Sequence, residues 1–311
     1  MRLGMTVTGA WSAEEPGVIL ARAVGMECDG WRSAWIPSGI GPDPMLLMSL
    51  IAASTSALEL GSFVVPAISR HPVALAREAL TIAAQAGRTP TLGIGLGHPE
   101  HSAYTRLPAS ATPLTYMREF LEVLRLCLRG GRVRYSGQAF EVNTTIGLEP
   151  APCSVVLAAA RPHMLSLAAD LTDGLVTWLF GLRHLEAAVK RVDQRRATPG
   201  RVIAGFPMAI TADVDAAGSA VAQLTERYRR LRNHRATLDA QPGCAPGDLA
   251  LIGDEPAVAR RIEQLASVGV TDVVGAWLPI PSDPDSVART YQFVTDHVTR
   301  QLKVAEESRW E

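Results

Sequence analysis

Short apolar runs alternate with longer segments whose apolar residues recur at helical spacing along nearly the whole chain. The runs 2–8, 33–37, 59–65, 91–97, 154–159, 174–179, 201–210 and 272–278 read as strands. The intervening segments 14–26, 44–57, 72–86, 113–128, 162–171, 182–195 and 213–235 read as helices, followed by 255–268 and 283–303. Strands that each hand over to a helix predict a parallel sheet, and eight such units are the complement of a (β/α)8 TIM barrel. The expected fold is therefore α/β, with residues 1–311 forming one barrel domain.

Punctuation agrees with this pattern. Pro72 and Pro113 stand at first helical positions, where a missing N–H costs nothing, and Gly87 and Gly269 follow predicted helices where a positive φ is wanted. Two connections are longer than a barrel needs and predict insertions after the fourth strand and before the fifth. Residues 98–112 form one; residues 130–152 form the other and include a hairpin-like stretch at 133–142. Long loops of this kind are commonly lids or binding elements. Residues 237–253, rich in Gly and Pro, are a third candidate loop at the barrel top.

Composition narrows the chemistry. With 47% hydrophobic and 20% charged residues, a large core is affordable and disorder is excluded as the main state. Thirty basic residues against 31 acidic ones leave a net charge of -1, so no footprint for nucleic acid or an anionic membrane surface exists and a small-molecule partner is expected. Only Lys190 and Lys303 are lysines, both within predicted helices, which disfavours Schiff-base chemistry. Cys28, Cys127, Cys153 and Cys244 form no C-x-x-C pair and suggest neither a zinc ribbon nor a disulfide framework. The chain enters strand-like alternation from Met1 with no leader pattern, and the longest uncharged stretch, 44–58, is too short and too interrupted for a membrane span. A cytoplasmic, soluble protein is expected.

Barrel sites form where strands end, so residues just beyond each strand carry the chemistry. The fourth strand ends in Gly93-Ile94-Gly95-Leu96-Gly97-His98. The G-x-G-x-G spacing, with no helix directly behind it, is not a dinucleotide fingerprint. Glycines at alternate positions clear one face, either for a flat ligand or another backbone, or simply for tight interior packing. His98 and His101 flank Glu100, but Pro99 interrupts them and no third ligand is evident, so no metal is expected. Both imidazoles are candidate general acids. The run Ala158-Ala159-Ala160-Arg161-Pro162 leads from a strand into a helix start, a place where backbone N–H groups receive anions, with Arg161 as a charged partner. No G-x-S-x-G elbow or Cys–His arrangement supports a covalent nucleophile.

In order, Gly30-Trp31-Arg32-Ser33-Ala34-Trp35-Ile36-Pro37, the Phe63-Val64-Val65-Pro66 segment with Arg70-His71-Pro72, and the glycines before His98 resemble the bacterial luciferase-like superfamily. The Ala159-Ala160-Arg161-Pro162-His163 turn and the Asp173-Gly174-Leu175-Val176-Thr177-Trp178 segment resemble its branch that uses the deazaflavin coenzyme F420. The resemblance implies hydride exchange with that cofactor at the barrel mouth, and commonly a homodimer. It also implies a bulge after the third strand, often with a non-prolyl cis peptide, at Ser62, Phe63 and Val64, backing the ring, and a phosphate end at Ala159, Ala160 and Arg161. Ser38, Gly97 and Trp178 complete the expected cofactor contacts, with His98 and His101 as catalytic candidates. Members that oxidise alcohols or sugar phosphates carry an Asp-His pair after the second strand, where this chain has Ser38-Gly39, and a Glu where it has His98. Without that base, reduction of an activated C=C or C=N bond by the reduced cofactor is the expected activity. The alternatives are an FMN-dependent two-component monooxygenase of the same fold and a barrel that binds cofactor without turnover.

Overall fold

The computed structural model describes residues 1–9, 12–98 and 107–307. Its parallel strands are β1 (Arg2–Thr6), β2 (Ser33–Ile36), β3 (Glu59–Ser62) continued by β4 (Val65–Pro66), β5 (Thr91–Gly95), β8 (Ser154–Ala158), β9 (Gly174–Trp178), β10 (Arg201–Ile210) and β12 (Asp272–Trp277). The antiparallel pair β6 (Gly131–Ser136) and β7 (Glu141–Ile146) stands apart, and β11 (Leu251–Gly253) pairs only with the end of β10. Pairing runs β1-β2-β3-β5-β8-β9-β10-β12, and β12 returns to β1 with Arg2 opposite Asp272. The closed eight-stranded parallel barrel is thus formed by the eight predicted strands.

Helices α1 (Pro16–Cys28), α2 (Pro44–Ser54), α3 (Pro72–Ala86), α4 (Pro113–Leu128), α5 (Pro162–Leu171) and α6 (Leu182–Asp193) alternate with the strands. They are followed by α7 (Val214–Arg229), α8 (Arg232–Asp239), α9 (Glu255–Ser267) and α10 (Ser286–Glu307). Asp43 and Thr112 accept first-turn N–H groups of α2 and α4, and Pro44 and Pro113 follow them, so capping chemistry fixes where these helices leave the rim. No helix among the described residues is long and apolar enough to cross a membrane.

Two sequence expectations need correction. The helix predicted over 213–235 is two helices, because the chain turns at Leu231, whose side chain is buried with Leu179, Tyr228 and Leu238. Helical spacing continues through that turn, and neither Gly nor Pro marks it. Residues 237–253 are not simply a loop: they hold the end of α8, a 3-10 turn at Pro246–Leu249, and β11.

The barrel interior is filled by Trp35, Val156, Val176, Ile203 and Val274, with Phe63, Val64 and Ala158 packed against them. Gly61 makes room for the Trp35 ring: a Cβ there would sit 2.3 Å from Cζ3. At the other end, where the strands begin, Arg201 plugs the floor. Its guanidinium donates to Asp272 at 3.1 and 2.8 Å, to Glu59 Oε1 at 2.8 Å and to Thr91 Oγ1 at 2.8 Å, and lies 5.6 Å from the Trp35 ring centre. With this end closed by charge pairing and rings, ligand access is left to the C-terminal mouth.

Candidate active site

The mouth opens into a cavity of about 2400 Å³. A register slip shapes its inner wall. Gly61 pairs with Thr91 and Val65 with Ile94, so four steps along β3–β4 match three along β5, and the extra residue makes a bulge. Phe63 and Val64 lie in it, joined by a cis peptide, and both line the cavity. The alternating glycines serve this bulge: a Cβ on Gly93 would lie 2.1 Å from the Ser62 carbonyl oxygen, and one on Gly95 would lie 2.9 Å from Val64 Cγ2. Of the readings open for that strand, close approach of another backbone holds at Gly93. Ser62 itself is fully buried, its hydroxyl donating to the Gly93 carbonyl at 2.9 Å, and it supports the bulge from behind without lining the cavity.

Ser38, Phe63, Val64, Gly97, His98, Ala159, Ala160, Arg161 and Trp178 all border this one cavity. His101 lies outside the described residues. Gly97 has φ +98° and packs under Ile68, so the chain turns outward there and presents His98 at the rim. Helix α5 begins at Pro162 with no side-chain cap at Arg161, leaving the first-turn N–H groups beside the exposed Arg161 and His163. Among the described residues, no group of three His, Cys, Asp or Glu side chains could hold a metal.

Rings connect the interior to the rim. Trp35 contacts Phe63 edge-on at 6.2 Å, Phe63 contacts Trp178 at 6.0 Å, Trp178 contacts Tyr228 at 5.8 Å, Tyr228 contacts His234 at 4.7 Å, and His234 contacts His98 at 4.9 Å. The end of α7 thereby reaches over β9, and the start of α8 over β5. Tyr228 and His234 were not legible as site residues, because nothing in their local sequence marks a helix that folds back over the mouth.

Polar groups in the wall fall into two kinds. Thr6 Oγ1, Thr177 Oγ1 and Trp178 Nε1 are buried with no hydrogen-bond partner among the described residues. Each unmet group costs about 1–3 kcal/mol, which a ligand bearing matching polar atoms would offset. The carboxylates are spent instead. Glu14 accepts from Arg22 at 2.5 Å, and from Thr8 and Ser12 at 2.9 Å each, and the Arg22 bond above all holds its carboxyl below the ordinary range. Asp43 is paired with Arg70, which also reaches Glu78 at 3.2 Å. The arrangement suits a flat heterocycle with unsatisfied polar edges and an anionic tail, and it offers an imidazole, not a carboxylate, at the rim.

The long insertion at 130–152 is not a lid. Strands β6 and β7 pair into a hairpin whose turn is held by Glu119, which accepts from the N–H groups of Gln138, Ala139 and Phe140 at 2.8, 2.8 and 3.2 Å. None of residues 130–152 lines the cavity.

A family model described as luciferase-like monooxygenase matches residues 2–272. The chain is 26% identical over 294 residues to a 5,10-methylenetetrahydromethanopterin reductase of Archaeoglobus fulgidus, covering 83% of this chain and 87% of that protein. It is 24% identical over 308 residues to an F420-dependent glucose-6-phosphate dehydrogenase of Kineococcus radiotolerans, covering 92% and 86%. The solved coenzyme F420 dependent tetrahydromethanopterin reductase of Methanopyrus kandleri superposes with a TM-score of 0.73 at 22% identity, over 96% of this chain and 99% of that one.

Proposed function

The chain belongs to the luciferase-like monooxygenase family, and from that premise we propose that it is a coenzyme F420-dependent oxidoreductase acting as a reductase on an activated C=C or C=N bond. The relatives that carry F420-dependent names support the cofactor. The observation that carries the direction is the state of the carboxylates: Glu14 and Asp43 are the only ones among the described lining residues, and each is held by an arginine. Oxidation of an alcohol needs a base to take its proton, and a carboxylate engaged in a charge-assisted pair is a poor one.

The residues present fit the cofactor. Phe63 and Val64 would back its ring, the unmet polar atoms of Thr177 and Trp178 would meet the ring's edge, and Ala159, Ala160, Arg161 and the α5 N-terminus would take its phosphate. When bound, a reduced deazaflavin supplies a hydride in two-electron steps and activates oxygen poorly. This chain's own work is to exclude water through the Phe63–Trp178–Tyr228 wall, to orient the acceptor, and to hold a proton on His98 for the atom next to the one reduced. Equilibrium titration of the purified protein with F420 and with FMN tests the reading. Micromolar or tighter F420 binding with weak FMN binding is expected; tight FMN binding with oxygen consumption and no F420 binding would overturn it in favour of the monooxygenase alternative.

A further inference from the structure

The cavity has room for an acceptor beside a cofactor. Small-molecule sites usually measure about 300–1,000 Å³, against about 2400 Å³ here. Strand order divides its wall, because β12 and β1 lie across the barrel from β5 and β8. The arc from β3–β4 round through β5 and β8 to β9 carries the residues assigned above to the cofactor's ring and phosphate. The opposite arc is lined by Trp277 at the end of β12 and Pro279 just past it, Val287 and Tyr291 on α10, and Ile40 beyond β2.

Beside the Thr6 hydroxyl, unpartnered among the described residues, this opposite arc presents ring faces and aliphatic surface. Trp277 and Tyr291 lie stacked, 6.3 Å between centres and 12° between planes. The polar atom of each is already used within the chain: Trp277 Nε1 donates to the Thr6 carbonyl at 2.7 Å, and the Tyr291 hydroxyl donates to Asp29 at 2.6 Å. Burial and the Asp29 carboxylate push that phenol above its ordinary range, so it remains a donor to Asp29. Ile40 is 62% exposed and Val287 39% exposed. The charged groups on this side cancel in pairs, Glu14 with Arg22 and Asp43 with Arg70. A phosphorylated or carboxylated molecule placed here would have to break one of those pairs to find a counter-ion.

We propose that the Trp277–Tyr291 wall is the acceptor subsite and that it takes a neutral, flat, conjugated molecule by stacking and apolar contact. The proposal rests on the reading of the opposite arc as the cofactor's, and the test separates the two. The probe is 2-methyl-1,4-naphthoquinone, a neutral bicyclic, with glucose 6-phosphate as the anionic comparison, each measured by equilibrium dialysis on the full chain without cofactor. Wild type is expected to retain the quinone and not the sugar phosphate. Trp277→Leu is expected to weaken quinone binding about tenfold, the scale of one lost aromatic contact. Trp277→Phe keeps a ring and is expected to stay within about threefold of wild type, a recovery that a merely folding-related effect of Trp277→Leu would not show. F420 affinity, titrated separately, is expected to be unchanged in both variants. Equal quinone binding by wild type and Trp277→Leu, or preferential binding of glucose 6-phosphate, would overturn the subsite. Failure of F420 to bind any variant would overturn the cofactor reading and leave the dialysis result standing.

Discussion

The imidazole of His98, just past β5, stacks on that of His234 in the first turn of α8, with ring centres 4.9 Å apart and planes inclined by 31°. Tyr228 meets His234 edge-on from the other side at 4.7 Å. Burial, with the neighbouring His98 adding to it, pushes the His234 imidazole down to about 3. His234 therefore stays neutral near pH 7 and faces His98 as an uncharged neighbour. If His98 supplies the acceptor's proton, His98→Ala should lower kcat about 100-fold or more, the usual contribution of a positioned acid. Cofactor Kd should change little. Stopped-flow oxidation of the reduced cofactor in the presence of acceptor, beside a binding titration, reads the two separately; an unchanged kcat would remove His98 from the chemistry.

His234 makes stability depend on pH. A folded-state value far below the unfolded value near 6.5 means that the unfolded chain binds a proton that the folded chain refuses. The stabilisation is complete above that unfolded value and is lost as pH falls from about 6.5 toward 3. One such group gives at most roughly 1.4 kcal/mol per pH unit. His71, His184 and His297 are also held below their ordinary value by burial and add to the trend. His71 has a further reason to stay neutral, since its Nδ1 accepts from the Val73 N–H at 3.2 Å. The Tm should fall between pH 7 and pH 5, and His234→Phe, which keeps a ring against Tyr228, should shallow that fall.

Arg161 stands at the N-cap of α5, exposed, where the helix start leaves N–H groups uncapped. Arg161→Ala should raise the cofactor Kd about tenfold, consistent with about 1.5 kcal/mol for a hydrogen bond to a charged group. The loss should shrink in high salt, because an exposed pair is screened. Fluorescence titration at two ionic strengths measures both effects. A Tm shift with no change in Kd would make Arg161 a surface residue of the turn.

The order of elements was legible because each strand here is a short apolar run with its own turn chemistry, and Pro72, Pro113 and Gly87 punctuate the helices as their backbone constraints require. The cavity side of the site was legible where the chain itself makes the shape. The Phe63–Val64 bulge is local and lies where the resemblance put it, and Pro162 marked the α5 start by its own backbone constraint. Contacts between distant segments were not. Arg201 reads as an ordinary first residue of a strand, and only barrel closure brings it to Asp272 and Glu59. His234 reads as one polar position in a basic helix, and only the turn at Leu231 swings it onto His98.

The Arg201 cluster predicts a large stability effect with no effect on binding. Asp272 is 2% exposed and holds Arg201 in two hydrogen bonds, with Arg2 at 2.7 Å as a second partner. Removing one partner of a buried pair costs about 3–5 kcal/mol where the other charge is left uncompensated, an upper bound here because Glu59 still accepts from Arg201. Asp272→Ala should accordingly lower the urea midpoint strongly, while the cofactor Kd of the folded fraction stays at the wild-type value, since this cluster lies at the closed end of the barrel. Loss of cofactor affinity in proportion to the stability change would show that the floor and the mouth are coupled.

Two glycines allow packing and site effects to be told apart. A Cβ on Gly205 would sit 2.3 Å from Phe63 Cζ and 2.9 Å from Trp178 Cε3, both cavity-lining rings. A Cβ on Gly61 would sit just as close to Trp35, which belongs to the interior and does not line the cavity. The Trp35 ring in the filled barrel has no room to retreat, so Gly61→Ala should cost about 1–3 kcal/mol by overpacking, whereas Gly205→Ala is relieved in part by pushing Phe63 and Trp178 into the cavity. Only Gly205→Ala moves the surface that would back the cofactor. Its cofactor Kd should rise by about tenfold or more, while that of Gly61→Ala should stay within about threefold of wild type. Parallel urea melts and cofactor titrations of the two variants decide the matter: equal losses of affinity would mean that Phe63 and Trp178 act only as core, and that the ring site lies elsewhere along the mouth.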